Sequence, residues 1–482
     1  MESSLVAKCL LIVFISLESI CSYCQKPVTG KNSIYTPMTS ADSIILANDC
    51  LKRREFLSQK LSNGVIIINN NEKTHDDFYY LTGWSSEPAC AFIDLSNTGS
   101  FTLFIPGTNA QSVMWNGIRP GKNDARKLGA NNYSYFDFKS HLRQIVKTGK
   151  KIYMLSQDDV VKDAIKGKLL QQSDSAYITY IDNIVHEMRV IKSPEEAENI
   201  RKAIDVTSSA LNNAFRYCKP NMYEYEIAAL FQYEYVRNNA KEAFPSICGS
   251  GRNSTALHYN ANNRIMLPVD LLLIDVGAKY NNYSADITRT VPVSGKFTQL
   301  QLDIYNLVLK AQEEGIKLMK PGYKFMDFHN RCADVICKGL YQLGLVTDTS
   351  QYWQMSVYFY HQSGHFLGID VHDAGYIVNS PVPPFDKRGR DLEPGMVITI
   401  EPGIYIQPDM LKFVYDIYGS TVSKEKLDDF VSKVRPVVMK YANIGIRIED
   451  DILITPGGNE VLSASIPKHP EDIERLMNKK QI

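Results

Sequence analysis

The sequence lacks an excess of charge of either sign and has no long basic run. Its 482 residues include 53 Lys and Arg and 53 Asp and Glu, so the formal net charge is zero. Nucleic-acid-binding proteins carry basic patches or tails, because much of their affinity comes from neutralising phosphates. We therefore expect no nucleic-acid partner. The rest of the composition, 44% hydrophobic and 22% charged residues, is typical of a globular protein.

A hydrophobic segment long enough to cross a membrane is also missing. The apolar run Cys9–Leu17 is less than half of the roughly 20 residues that a membrane-spanning helix needs. It has the length of the apolar core of a secretory signal peptide, and Lys8 precedes it. The sequence predicts a signal peptide over residues 1–24, export to the periplasm or the medium, and a mature chain without a membrane span. A disordered or docked N-terminal helix is the alternative.

Closely spaced cysteines are absent from the predicted mature chain. Without the three in the signal segment, six remain and no CxxC pair is left, so neither a structural zinc site nor a disulfide framework is indicated. We expect buried free thiols. The six are Cys50, Cys90, Cys218, Cys248, Cys332 and Cys337.

The length favours two domains. From Thr39 to Tyr180, short apolar runs alternate with helical patterns, which predicts a modest α/β domain. A helix is expected to begin after this region. Ser193 suits the N-cap, Pro194 suits the first helical position, and Glu196 completes a capping box.

A segment that begins at Leu271, LLLIDVGAKYNNYSADITRT, places Asp275 inside an apolar strand and Asp286 on the next one. An unpaired buried carboxylate is strongly unfavourable. The KYNN stretch predicts a turn. Centred between Tyr280 and Asn281, the turn sets the two aspartates directly opposite each other; centred on the Asn-Asn pair, it sets them diagonally. Like charges so close repel, so we hypothesise a shared metal ion. The alternative is a lone buried Asp275 with backbone partners and a solvent-facing Asp286.

Histidines cluster in one short segment. Tyr360–Gly375, YHQSGHFLGIDVHDAG, holds His361, His365 and His372, three of the nine histidines in the chain. The first two have the spacing of a helical metal site, but the neighbouring glycines and β-branched residues favour a strand or loop. A core histidine with satisfied hydrogen bonds is the alternative for each one, and three so close together weaken that alternative.

Two glutamates repeat the pattern of a carboxylate beside an apolar strand. Glu401 ends the run Met396–Glu401 directly before a Pro-Gly pair, so its carboxylate emerges at a strand end. In the strand-like run Ile444–Ile454, Arg447 and Glu449 share one face and the isoleucines take the other. The simplest alternative makes Arg447 the ion-pair partner of Glu449.

Together these acidic residues and one histidine form an oxygen-rich set without thiolates, unlike a typical structural zinc site. Such ligands suit two divalent ions, Mn²⁺ first, with Co²⁺ or Zn²⁺ as alternatives. Two such ions would generate a hydroxide nucleophile between them and polarise a scissile carbonyl. The candidate ligands are Asp275, Asp286, His365, Glu401 and Glu449.

The motifs DVG…ADITRT, HQSGH, IEPGIY and GIRIEDD, in this order, resemble the metal signature of the pita-bread metallopeptidases. That family includes methionine aminopeptidase, Xaa-Pro aminopeptidase and Xaa-Pro dipeptidase (prolidase). The earlier FYYLTG segment resembles the creatinase-type N-terminal domain of the proline-specific members. The resemblance implies an α+β protein, with a smaller α/β domain over residues 39–187 and a pita-bread catalytic domain over residues 188–482.

The resemblance also implies a role for each metal ligand. Asp275 would bind one ion, and Asp286 and Glu449 would bridge both ions. His365 and Glu401 would complete the second site. Glu401 would also take a proton from the bridging water.

Four further residues match positions beside the metal ions. His258, in GSGRNSTALHYN, matches a histidine held near the substrate. His361 and His372 match histidines that orient the substrate or stabilise the tetrahedral intermediate. Arg447 matches an arginine that supports the neighbouring bridging glutamate.

Within the family, ADITRT followed by VSGKFT is most similar to the Xaa-Pro aminopeptidases. We therefore expect a metallo-aminopeptidase that hydrolyses the first bond of peptides with proline at the second position. An insertion, Asp409–Ala442, departs from the compact pattern; prolidases also lengthen this region, and the insertion would serve as a lid or an oligomer contact. Its apolar residues on one helical face are Leu427, Phe430, Val431 and Val434.

We expect a homo-oligomer, a dimer or tetramer. The main alternative activity is that of a prolidase, restricted to Xaa-Pro dipeptides. A peptide-binding protein that has lost catalysis and a metal-independent, creatinase-like hydrolase are further alternatives, and the complete ligand set disfavours both.

Overall fold

A computed structural model describes residues 40–97, 99–166, 178–377 and 387–478. The predicted signal peptide lies outside these residues. The described residues form two compact units: one takes those up to Ile152 and from Val160 to Lys166, and the other takes Tyr153–Asp159 and those from Ile178 onward. In the described residues, no helix is both long and apolar enough to cross a membrane.

The first unit is built on four neighbouring strands in the order β4-β3-β2-β1. β1 pairs with β2, and β2 with β3, in antiparallel fashion, while β3 and β4 are parallel. Every residue of β1 is buried, and its apolar side chains run from Val65 to Ile68. The elements are α1 Ser40–Lys60, β1 Gly64–Asn70, α2 His75–Thr82, β2 Ala89–Asp94, β3 Phe101–Ile105, α3 Ala110–Asn116, α4 Lys122–Lys127, β4 Ala130–Ser134 and α5 Phe138–Lys147, followed by β5 Lys151–Met154 and α6 Asp159–Lys166.

The second unit combines long helices with several small sheets. Three sheets have three strands, in the orders β11-β10-β7, β12-β9-β8 and β13-β16-β17, and β14 pairs with β15. The strands are β6 Ile178–Tyr180, β7 Lys241–Glu242, β8 Ile247–Ser250, β9 Leu271–Val276, β10 Ala278–Tyr280, β11 Tyr283–Ser284, β12 Ile287–Pro292, β13 Val397–Ile400, β14 Gly403–Ile406, β15 Ile444–Arg447, β16 Asp450–Thr455 and β17 Gly458–Val461. The helices are α7 Asp182–Val190, α8 Pro194–Tyr217, α9 Glu224–Arg237, α10 Gln299–Ile316, α11 Phe325–Gln342, α12 Tyr352–Met355, α13 Met410–Tyr418, α14 Lys424–Lys440 and α15 Pro470–Met477.

The predicted start of α8 is confirmed. The Glu196 amide donates to Ser193 Oγ over 3.2 Å, and the Ser193 amide donates to Glu196 Oε2 over 3.0 Å, with Pro194 in the first turn. This reciprocal pair satisfies two amides that the helix itself leaves without partners.

The hairpin that carries the two aspartates follows the second of the predicted registers. Thr288, not Asp286, lies opposite Asp275, so the turn falls on Asn281 and Asn282. Both asparagines have positive φ, 46° and 67°, as a two-residue hairpin turn requires. Asp286 therefore lies diagonally across from Asp275.

The insertion forms a pair of helices, α13 and α14. The four apolar residues predicted to share a face of the insertion are buried on α14, which confirms that helical face. Trp353 of α12 packs against both helices, with its ring centroid 5.5 Å from that of Tyr418 and 4.9 Å from that of Phe430. The insertion is thus part of the packed core of the second unit.

Candidate metal centre

The candidate ligands lie where strands begin, end or break. Asp275 is within β9, and Asp286 directly precedes β12. Glu401 separates β13 from β14, and Glu449 lies between β15 and β16. The run Ile444–Ile454, predicted as continuous, is therefore two strands, because its first half pairs with β14 and its second half with β13.

Three of the predicted ligands converge on one point. One ligand atom each from Asp286, His365 and Glu449 lies within 4.8 Å of the others. His365 Nε2 is 3.4 Å from Asp286 Oδ2 and 3.7 Å from Glu401 Oε1. His365 Nδ1 is 3.0 Å from the Phe366 carbonyl oxygen, which can only accept. This bond places the proton on Nδ1 and leaves Nε2 with a lone pair directed at the carboxylates.

Asp275 has two oxygens with different surroundings. Arg447 Nη2 donates to Asp275 Oδ2 over 2.5 Å. Asp275 Oδ1 is buried and has no hydrogen-bond partner within the described part of the chain. A buried carboxylate oxygen without a donor is suited to a cation. Arg447 thus pairs with Asp275 and not with Glu449, the partner in the simplest alternative. The Thr288 hydroxyl bonds to both Arg447 Nε and Glu449 Oε2.

Burial and mutual repulsion keep these carboxylates from ionising together. Burial, and then the charges of Glu449 and Asp275, raise the pKa of Asp286 well above its usual range. Burial followed by the charge of Asp275 raises the pKa of Glu449 to about 7, and burial followed by the charge of Glu449 raises the pKa of Glu401. A bound divalent cation would supply the missing positive charge. The donor set therefore fits a metal ion.

A chain of hydrogen bonds connects Arg447 to His361. Arg447 Nη1 donates to Tyr405 Oη over 3.0 Å, and Tyr405 Oη lies 2.9 Å from His361 Nε2. His361 Nδ1 donates to the Gln362 carbonyl over 2.8 Å, so Nε2 accepts the tyrosine hydroxyl proton. Burial, and then the charge of Arg447, lower the pKa of His361 to about 3. His361 is therefore neutral at physiological pH.

The other two predicted histidines lie at the margin of this centre. The rings of His372 and His365 are 4.2 Å apart, centroid to centroid. Partial burial lowers the pKa of His372, and the charges of His365 and His258 add to the effect. His258 is exposed, on the loop that follows β8. Tyr360, beside His361, donates from its hydroxyl to the Thr255 carbonyl of this loop over 3.0 Å.

Sequence reasoning missed Tyr405 and Thr288. The Thr288 hydroxyl donates to Glu449 Oε2 over 2.7 Å and accepts from Arg447 Nε over 3.1 Å. Its position, opposite Asp275 in the sheet, follows only from the hairpin register. Tyr405 gives a signal in the sequence: it is a hydroxyl-bearing residue between two isoleucines in a buried strand, where a hydroxyl needs a partner.

Comparisons with known proteins agree with this geometry. The model of metallopeptidase family M24 matches residues 198–456, and the model of the aminopeptidase P N-terminal domain matches residues 51–153. Over 423 residues the chain is 35% identical to the Xaa-Pro aminopeptidase of Escherichia coli (strain K12), which covers 84% of this chain and 89% of the relative. A similar relative from Haemophilus influenzae is 34% identical over 449 residues, 89% of this chain and 96% of the relative.

Solved structures show the same fold. Proline aminopeptidase P II from Yersinia pestis has a TM-score of 0.76 at 32% identity, covering 89% of this chain and 99% of that one. A zinc-substituted E. coli aminopeptidase P in complex with product has a TM-score of 0.75 at 32% identity, covering 90% and 99%. The fold and the site thus define a metallo-exopeptidase. The chain belongs to metallopeptidase family M24, with the predicted α+β architecture of an aminopeptidase P-type N-terminal domain and a pita-bread domain.

Proposed function

We propose that this chain is an Xaa-Pro aminopeptidase, which removes the first residue of peptides that have proline at the second position. The observation that carries the proposal is the convergence of Asp286, His365 and Glu449 on one buried point, in a chain 35% identical to a protein named for this activity. Asp275 and Glu401 extend the same set.

We assign two divalent ions to the five ligands, with Mn²⁺ as the preferred metal. When bound, such ions lower the pKa of a water molecule and polarise the scissile carbonyl. Asp286 and Glu449 would contribute to both metal sites, as the resemblance to the family implies, and an oxygen of each lies in the group that His365 joins. Zn²⁺ is also to be tested, because one of the solved relatives is a zinc-substituted enzyme.

We assign the surrounding residues to proton transfer and to orientation of the substrate. Glu401, whose pKa burial and the charge of Glu449 raise, would take the proton of the attacking water and pass it to the leaving imino nitrogen of proline. His361, held neutral between Tyr405 and the Gln362 carbonyl, and His372 would orient the peptide. His258 would contact the substrate from the exposed loop, and Arg447 would fix Asp275.

The test is a digest of two substrate series, Xaa-Pro dipeptides and longer Xaa-Pro-Yaa peptides, with the purified protein, monitored by mass spectrometry. We expect cleavage of Xaa-Pro-Yaa peptides of several lengths and no cleavage when alanine replaces proline. A chelator should abolish turnover, and titration with Mn²⁺, Co²⁺ or Zn²⁺ should identify the metal that restores it. Turnover that survives verified metal loss would contradict the metal assignment.

An Xaa-Pro dipeptidase is the second candidate, because the helices α13 and α14 lengthen the same region that prolidases lengthen. Cleavage confined to dipeptides in the same digest would decide for it. Absence of cleavage in both series would leave a peptide-binding protein.

We also propose that the chain is exported through residues 1–24 and that it assembles as a dimer or tetramer. The apolar run near the N-terminus supports export. Mass spectrometry of the N-terminus of the mature protein would locate the cleavage, and light scattering would give the number of subunits. An uncleaved cytoplasmic product or a monomer would refute the respective proposal.

A further inference from the structure

A fully buried glutamate lies outside the metal centre, at the start of α9. Glu224 has no solvent-exposed surface, and it is not a ligand in the assignment above. A buried carboxylate persists only where several donors or a cation stabilise its charge. The donors around Glu224 therefore indicate what the residue holds in place.

All of these donors belong to one segment, from Ser250 to Arg264. Glu224 Oε1 accepts from the Ser250 amide and hydroxyl, each over 2.7 Å, and from Asn253 Nδ2 over 3.1 Å. Glu224 Oε2 accepts from the Tyr259 hydroxyl over 2.7 Å and from the Arg264 amide over 2.9 Å. One carboxylate thus fastens both ends of this segment and two interior residues, Asn253 and Tyr259. The segment contains His258.

Of the two interior contacts, Tyr259 is the direct neighbour of His258. Its ring packs, together with Leu257, against the buried cluster of Ile247, Leu273 and Tyr405. Its hydroxyl reaches Glu224 at the same time. Both residues that flank His258 are therefore anchored, while His258 itself is exposed.

The cluster beneath Tyr259 belongs to the structure that supports the metal centre. Leu273 lies on β9, the strand of Asp275, and Tyr405 bonds His361 and Arg447. A loop fixed on this cluster keeps a constant relation to the metal ligands, and positioning errors of about 1 Å can reduce rates roughly 100-fold.

We propose that Glu224 is a positioning residue for His258, acting through the Tyr259 hydroxyl. Glu224 accepts that hydroxyl and both ends of the loop, so that the imidazole is presented to the substrate from a rigid support. This inference rests on the proposed function, since it takes the substrate contact of His258 from there.

The test uses Tyr259→Phe, which removes one hydroxyl and keeps the ring on its cluster. We expect kcat/KM for an Xaa-Pro-Yaa peptide to fall about tenfold with the bound metal unchanged. Glu224→Gln should lower kcat/KM further, because the glutamine side chain replaces one acceptor oxygen with an NH₂ group, which faces donors that need an acceptor. Tyr441→Phe is the matched control. Tyr441 is also a buried tyrosine whose hydroxyl bonds to a carboxylate, Asp303 Oδ2, over 2.9 Å. Removal of this hydroxyl should leave kcat/KM unchanged.

A double-mutant cycle separates positioning from general stabilisation. If the Tyr259 hydroxyl acts through His258, the double variant Tyr259→Phe with His258→Ala should be within about twofold of His258→Ala alone. If the factors by which the two single substitutions lower kcat/KM multiply in the double variant, the proposal is overturned. A wild-type level of activity in His258→Ala would instead overturn the substrate role assigned to His258, and the positioning role with it.

Hydrogen exchange tests the same inference without turnover. Peptides that cover residues 251–263 should exchange faster in Tyr259→Phe and Glu224→Gln, and no faster in Tyr441→Phe. Unchanged exchange in the first two variants would overturn the proposal even in an active enzyme. If the protein cleaves no Xaa-Pro peptide, the proposed function fails, and the exchange result still decides whether Glu224 fixes the loop.

Discussion

Asp286 lies among other acids and near one arginine, Arg447. Burial and the charges of Glu449, Asp275 and Asp451 raise its pKa, and the charge of Arg447 lowers it only in part. The backbone amide of Asp286 is itself held by Asp451 Oδ2 over 3.2 Å. The backbone thus fixes the residue in place, while burial and the neighbouring acids raise the pKa of its side chain.

Asp286→Asn should therefore remove most metal binding and nearly all turnover while the fold persists. The amide keeps the size of the side chain but gives up a negative charge and one ligand oxygen. Metal analysis gives the metal content per chain, steady-state kinetics give kcat, and circular dichroism checks that the fold persists. Asp303→Asn, which alters a carboxylate bonded to Tyr441, is the control and should keep its metal. Near-normal turnover in Asp286→Asn would refute the bridging role.

Tyr405 joins Arg447 to His361, so its hydroxyl is expected to orient that histidine. Tyr405→Phe removes both hydrogen bonds but leaves the ring in the core. We expect kcat to fall about 10- to 100-fold with the metal content retained, because Asp275 keeps its own bond to Arg447. Steady-state kinetics and metal analysis check this. A loss of metal would show that Tyr405 supports the ligands instead.

At the scale of elements, the hairpin β9–β12 sets the spacing between Asp275 and Asp286. Its turn residues, Asn281 and Asn282, both have positive φ. Gly277 is opposite Asp286, and a Cβ at Gly277 would lie 1.8 Å from the Ala285 carbonyl oxygen. The turn and the glycine together allow the two strands to approach closely at the metal centre.

Replacement of Asn282 tests the turn. Asn282→Val should destabilise the second unit by about 1–2 kcal/mol, because a β-branched residue is strained at a φ of 67°. Asn282→Gly should be close to neutral, since glycine adopts positive φ freely. The midpoint of thermal unfolding compares the variants. Equal midpoints for the valine and glycine variants would contradict the strain argument.

The sequence predicted most elements of the site region but not their junctions. The apolar runs around Asp275 and Glu401 located β9 and β13, and the capping box located the start of α8. The alternation with period 2 stops at three consecutive acids, Glu449, Asp450 and Asp451, which signals an interruption of the strand but not a change of sheet. Only the partner strands, β14 for one half and β13 for the other, decide where the chain changes sheets.

For the site, the residue types could be predicted and the contacts could not. The acids and histidines stand out against apolar surroundings, whereas the pairing of Arg447 with Asp275 spans 172 positions in sequence. This ion pair forms only because the fold brings β9, which carries Asp275, close to β15, which carries Arg447. No local sequence pattern encodes that approach. The roles of the individual ligands remain predictions that the variants above test.

At the scale of the whole molecule, buried ion pairs hold distant segments of the second unit together. Asp373, next to His372, contacts Arg189 of α7 over 2.5 Å and Lys192 over 2.8 Å, and all three side chains are buried. Burial alone would raise the pKa of Asp373, but the two cations lower it to about 2. This depressed pKa stabilises the fold above the pKa of the unfolded carboxyl, about 3.9, and the stabilisation is lost as the pH falls toward 2.

Asp373→Asn should thus destabilise the protein by about 3 kcal/mol at pH 7, because the buried Arg189 and Lys192 lose the carboxylate that they share. Arg189 keeps a second carboxylate, Asp370, at 3.4 Å. The difference from the wild-type protein should shrink as the pH falls from about 4 to about 2, where the wild-type carboxyl is protonated as well. Thermal unfolding across this pH range measures it. A difference that stays constant down to pH 2 would contradict the assignment of the charge to Asp373.

Metal binding should also stabilise the whole second unit. The ligands come from one strand, β9, from three positions where strands begin or change, and from the loop of His365, so a bound ion would link segments far apart in sequence. The metal-free site keeps several buried acids in mutual repulsion. A ligand that binds only the folded state stabilises it in proportion to the logarithm of its concentration over Kd. Exhaustive chelation should therefore lower the midpoint of thermal unfolding by about 5 °C, and added Mn²⁺ should restore it. Asp286→Asn should show neither change, because it no longer binds the metal. An unchanged midpoint in wild-type protein that metal analysis shows to be free of metal would mean that the site is held together by the protein alone.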